Sequence, residues 1–215
     1  FTDDDLDTSN AIGFQATVGK LSLALLTQGT TKYTGLEIQG LGASLVGLGD
    51  DFVLEAANVN VLINQVSVVN GTKLNWGSLS SVAADDPLVF SSALTANVEL
   101  QASGDVALNL YGNVIAVGSF DIFKGSFSGR DGVITLTDAQ LLTIQLLNIE
   151  VFVGVGGAFI DNNATGTTTF TDDDLDTSNA IGFQATVGKL SLALLTQGTT
   201  KYTGLEIQGL GASLV

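Results

Sequence analysis

The chain of 215 residues has no histidine, no cysteine, no methionine and a single proline. Without histidine or cysteine it can hold no Ser-His-Asp triad, no thiol nucleophile and no ordinary zinc site. Disulfides are excluded too, so stability outside a cell has to come from packing, metal ions or assembly. The missing methionine leads us to expect an internal piece of something longer, with neither initiator nor signal peptide. Charge is scarce and one-sided: 13% of residues are charged, and 22 Asp and Glu against 7 Lys and Arg give a formal net charge of -15. Phosphate binding needs clustered cations, and here they stand singly, so neither nucleic acid nor an anionic membrane surface is an expected partner. The apolar runs are short and broken by Gly, Thr, Asn or Gln, so no transmembrane segment is expected.

What the chain has is repetition. Residues 1–46, from FTDDDLDTSNAIGF to GLGASLV, recur letter for letter as residues 170–215. The reading that follows is a tandem array with a unit of 169 residues: residues 1–169 are one full repeat, and 170–215 begin the next. A fainter echo lies inside the unit. VGKLSLALL at 18–26 resembles SGDVALNLY at 103–111, and NVNVLI at 58–63 resembles NIEVFV at 148–153. Two related halves of about 85 residues are expected, with a short insertion in the second.

Alternation with a period of two dominates. Ile12, Phe14, Ala16 and Val18 alternate with polar residues or Gly, and Leu21, Leu23 and Leu25 continue on shifted parity after Gly19-Lys20, as a bulge or tight turn would produce. Leu94, Ala96, Val98, Leu100 and Ala102 predict a strand, as do Val59, Val61 and Ile63, and Ile149, Val151 and Val153. Turn chemistry falls between them at Gln28-Gly29, Gly49-Asp50-Asp51, Asn70-Gly71, residues 129–132 and residues 161–163. Residues 138–148 have some helical look, but their β-branched neighbours favour strand. Several strands are apolar on both sides, among them Val61-Leu62-Ile63 and Val151-Phe152-Val153, so both faces need cover. The expected fold is all-β: a mostly antiparallel, two-layer, sandwich-like repeat stacked in a tandem array.

The acidic cluster Asp3, Asp4, Asp5 and Asp7, repeated as Asp172, Asp173, Asp174 and Asp176, is the candidate metal site. Hard cations take several oxygen ligands, so calcium is the ion this density of carboxylates would suit. The spacing is neither an EF-hand loop nor a calcium-binding β-roll nonapeptide, and a solvated inter-strand loop is the competing reading. No cofactor is otherwise expected. Carboxylate pairs can hydrolyse glycosides, but Glu37, Glu55, Glu99 and Glu150 stand singly on alternating strands, where a polar outer face accounts for them. No catalytic residues are assigned, and the chain is not expected to be an enzyme. Asn70-Gly71-Thr72 and Asn163-Ala164-Thr165 match the glycosylation sequon at positions where turns favour Asn anyway. Trp76 reads as a core or inter-repeat anchor.

Residues 16–69, together with FVGVGG at 152–157, resemble the long tandem β repeats of giant bacterial surface and secreted proteins, including the large adhesins. The likeness lies in low charge, Gly/Asn/Asp turns and near-identical copies, and not in a specific motif. It implies an extracellular or cell-surface, acidic spacer or fibre. The aspartates do not follow the calcium-binding linkers of adhesin repeats. Two main functions follow: a structural segment of a self-associating extracellular filament, whose partners are neighbouring copies of the repeat in the same or other chains, or the passive stalk of an adhesin rigidified by calcium. An apolar groove that binds lipid is a third.

Overall fold

The structure, a computed structural model, describes residues 10–49, 51–79, 90–160, 171 and 174–215. The described residues form strands β1 (Gly13–Gln28), β2 (Thr31–Val46), β3 (Phe52–Val66), β4 (Val98–Leu110), β5 (Val114–Arg130) and β6 (Thr135–Val155). The short strands β7 (Ala158–Ile160) and β8 (Asp174–Asp176) follow, then β9 (Ile181–Gln197), β10 (Thr200–Gln208) and β11 (Gly211–Leu214). The fold is all-β and antiparallel. One large sheet runs in the order β1-β2-β3-β4-β5-β6-β9-β10, with β11 continuing beside β9, and β7 and β8 make a separate two-stranded ribbon. Neighbours in sequence are neighbours in space except at β6, whose next partner in the large sheet is β9, and at β11, which pairs with β9. Residues 138–148 lie within β6, the longest strand.

Tight turns of the expected composition join most strands. Gly29, at φ 62°, closes β1 to β2 in the left-handed region that glycine enters without a Cβ penalty. Two connections are long, residues 67–97 after β3 and 156–180 after β6. Each therefore follows a run of three strands. Asn58 in β3 and Asn148 in β6, paired by that echo, both take positive φ, at 53° and 49°. Each is an extra residue against its neighbour: the register slips between Ala57 and Asn60 in β3, and between the pairs Val117–Glu150 and Ser119–Leu147 at β6.

These bulges decide which way side chains point. Leu21 lies opposite Ile38 and Val18 opposite Leu41, while Ile38 pairs with Val61 and Leu41 with Val59. Three residues separate 38 from 41 but only two separate 61 from 59, so Val18, Leu21, Ile38 and Leu41 all point to one side. The parity shift at Gly19-Lys20 is thus absorbed by a bulge, and the apolar series of β1 stays on a single face. Followed across the sheet, the same bookkeeping gives an apolar face and, opposite it, a face against which the long connections pack.

The buried core belongs wholly to that second, loop-bearing face. Trp76, Phe90, Leu94 and Val98 form one cluster, with Ala24, Tyr33, Leu62 and Phe123 of the sheet packed against it. Beyond the cluster, Ile115 and Phe152 are fully buried where the chain turns back after β6, and Gly157 is pressed so close that a Cβ there would meet Phe152 at 2.6 Å. The strands that read as apolar on both sides are explained by these covers: Leu62 and Phe152 face the connections, and Val61 and Val151 face the other way. One expected strand starts late. Leu94 and Ala96 belong to the connection, and β4 begins only at Val98. Leu94 accepts a backbone hydrogen bond from Gly77 at 3.3 Å, so its alternation with Val98 reflects burial under a loop and not a ladder. The described strands supply one large sheet; a second large sheet facing it is not among them.

Candidate functional site

Two features of the sheet are candidates for function: the junction between repeats and the uncovered apolar face. At the junction β6 pairs with β9 from Gln140↔Thr196 through to Val155↔Ile181. The second copy of the repeated sequence is therefore hydrogen-bonded into the sheet of the first along the full length of β9. Within the copies the registers agree. Thr31↔Gln28 and Leu45↔Phe14 in the first copy match Thr200↔Gln197 and Leu214↔Phe183 in the second. The glycine at the irregularity repeats as well, Gly40 at φ 61° and Gly209 at φ 64°. Only the surroundings differ. β1 is the edge of the sheet and β9 is an inner strand, so Leu25 is 75% exposed and its counterpart Leu194 39%.

The apolar face crosses this junction without interruption: Ile144 of β6 lies opposite Leu192 of β9, and Val153 opposite Phe183. Its large side chains are absent from the buried core, and Leu54, Val106 and Val153 on inner strands remain 40% exposed or more. With the exception of Glu99 near one end, the carboxylates of the large sheet's paired positions lie on the other side. Glu37, Glu55, Asp105, Asp121, Glu150 and Glu206 lie opposite Leu62, Ala107, Ala57, Gln145, Val117 and Ser191, all on the loop-bearing side. Near one end of the apolar face Lys124 makes an ion pair with Glu99.

The loop-bearing side holds polar structure that the sequence pattern does not reveal. Alternation predicts Glu37 on a polar outer face; its side chain is instead fully buried. It accepts hydrogen bonds from Lys20 Nζ at 3.1 Å, Gln39 Nε2 at 2.6 Å and the Ser91 backbone N–H at 3.0 Å. Burial pushes its carboxyl up, but the Ser91 amide, Lys20 and Gln39 outweigh that and hold it below the usual glutamate value. Asn64, also fully buried, ties the connection down: its Nδ2 donates to the Leu74 carbonyl at 2.7 Å and the Thr95 carbonyl at 2.9 Å. Its Oδ1 accepts from Trp76 Nε1 at 3.0 Å. Trp76 is thus the core anchor its sequence context suggests. A lone Glu or Asn on an alternating strand carries no signal of burial, because the partners come from a connection far along the chain.

Of the proposed metal ligands, Asp3, Asp4, Asp5, Asp7, Asp172 and Asp173 lie outside the described residues. Asp174 and Asp176 bound the three-residue strand β8, opposite Ile160 and Ala158. Asp176 Oδ1 accepts the Ser178 backbone N–H at 2.8 Å, and these contacts with Ser178 hold its carboxyl below the ordinary value. Among the described residues, no group of three or more Asp or Glu side chains is placed to hold a metal ion. Asn70 of the first sequon sits in a turn at φ 57°, and Asn163 lies outside the described residues. No described helix is long and apolar enough to cross a membrane.

No protein-family model, no curated protein and no solved structure matches the chain.

Proposed function

We propose that this chain is a segment of an elongated structural β array, in which each repeat adds six strands to a sheet shared with the next. The observation that carries this reading is the pairing of β6 with β9 across the repeat boundary. A stalk of separate beads, the second reading, closes each sheet within its own repeat and needs a linker between them. Here the repeat leaves β1 as an open edge and receives the identical β9 on β6, so one copy offers the edge that another fills. The extracellular or cell-surface setting rests on the resemblance to surface repeats.

Fibre diffraction from a chain of several repeats tests it. Strands about 4.8 Å apart and six to a repeat give an axial spacing of about 29 Å, with strands running across the fibre axis. Both reflections are expected on the axis. A longer axial spacing without the strand reflection there means beads, and the stalk reading takes over.

A further inference from the structure

The uncovered apolar face has to be covered by something. We infer that it is the interface with a second copy of this chain, and that two such sheets pack face to face into a sandwich assembled between molecules.

Four observations select a second copy as the occupant. The first is size. Eight strands in sequence along the sheet, spaced about 4.8 Å apart, with about 40 Å of paired length, give a face of roughly 1,600 Å². A stable complex needs about 800 Å² per partner, so the face exceeds the requirement about twofold. The second is charge. Two chains of net charge -15 repel unless the carboxylates stay away from the contact, and Glu37, Asp105, Asp121 and Glu150 all point to the opposite side. The third is access. Both long connections pack on the loop-bearing side, so nothing among the described residues stands above the apolar rows to hold a second sheet beyond the usual 10 Å. The fourth is period. The face continues across the β6–β9 junction and so repeats every six strands. A second array of the same chain has that period by construction, whereas an occupant of fixed length would match it only at intervals.

The chain contains no cysteine, so a single one is a clean probe. Ala102→Cys places a thiol on the apolar face of β4, and Ser103→Cys places one on the other side of the same strand. Each full-length variant is refolded from denaturant without lipid, and maleimide labelling is followed against protein concentration. The expected result is that the Ala102→Cys thiol reacts about tenfold more slowly at high than at low concentration, as mass action on a dimer requires. The Ser103→Cys thiol is expected to show no such dependence. Ala116→Cys, on the same face in β5, repeats the measurement should Ala102→Cys misfold.

Three results overturn the inference. An Ala102→Cys thiol that labels freely at every concentration, even in a sample that sediments as an oligomer, leaves only edge pairing, because edge growth keeps β4 uncovered. Protection at every concentration in a sample that sediments as a monomer means cover from within the chain. Protection that appears only with phosphatidylcholine vesicles makes lipid the occupant. Since edge growth does not bury Ala102, this test and the diffraction test fail independently.

Discussion

Gly35 lies directly beneath the indole of Trp76: a Cβ at position 35 would stand 2.7 Å from Cε2 and 2.8 Å from Cδ2. The absence of a side chain in the middle of β2 is therefore what lets the connection after β3 lie flat on the sheet. The counterpart in the second copy, Gly204, has identical flanking sequence, and the nearest atom a Cβ there would meet is Ala193 Cβ at 4.0 Å.

That pair makes an internal control. Gly35→Ala should destabilise the chain by about 1–3 kcal/mol, the range for overpacking a filled core. Gly204→Ala should leave stability within about 0.5 kcal/mol, as for an ordinary surface change. Chemical denaturation of the two variants, followed by Trp76 fluorescence, measures the difference. Equal effects would mean that the indole does not sit over Gly35.

Asn64 holds three hydrogen bonds with no exposure to solvent. Asn64→Leu leaves two carbonyls and an indole N–H without their partner, each a buried polar group that costs about 1–3 kcal/mol when unsatisfied. A loss of stability larger than for Gly35→Ala is expected, with a red shift in Trp76 emission as water reaches the indole. Loss of stability without that shift would place the damage elsewhere.

Glu37 gives the chain a pH dependence of known sign. Its folded-state pKa is lowered from 4.5, so it contributes stability that is present above the unfolded value and is lost as pH falls through the folded one. Glu37→Gln should be less stable than the parent at pH 7 by about 2 kcal/mol, the range for a hydrogen bond to a charged group. The gap should close as pH drops below 4.5. Glu206, which keeps only the ion pair to Lys189 at 2.8 Å and the contact with Gln208, is exposed, and Glu206→Gln should change the acid limb far less. Urea melts from pH 7 downward check both variants.

The identical heptads LSLALLT at residues 21–27 and 190–196 should exchange amide hydrogens at two rates. β1 is bonded on one side only, and β9 on both. Peptic fragments from the two sites have the same mass, so mass spectrometry should return one peptide with two isotope envelopes of equal weight. A single fast envelope would mean that β9 does not dock on β6. In assembled material the envelopes should merge at the slow position, as edges become interiors.

The all-β class, the turns and the parity shift at Gly19-Lys20 were legible because each is a local matter of alternation and turn chemistry. The echo at residues 58–63 and 148–153 falls on β3 and β6, each with a bulge at the echo's first residue, Asn58 or Asn148. The sidedness of the sheet was not legible. Apolar residues on both sides of a strand point equally to a second sheet or to a connection folded back, and only the contacts of Trp76 and Phe152 distinguish them. Leu94 misleads for a related reason, since burial under a loop and burial in a strand leave the same spacing. The candidate metal site rests on charge density alone, which records how many oxygens are near in sequence and not how they are arranged.

The step of six strands from β1 to β9 has a geometric consequence. An even number brings the chain back to the same side of the ribbon before it begins again, so β9 runs in the same direction as β1. In the proposed array the connection carrying Trp76 then falls toward one long margin in every repeat, and the β7–β8 hairpin toward the other. In that array the two margins differ chemically, one bordered by the connections that bury Trp76 and the other by the aspartates of β8. A ribbon built this way has a left and a right as well as a front and a back. Anything that binds along it can therefore be held in a single orientation from one repeat to the next.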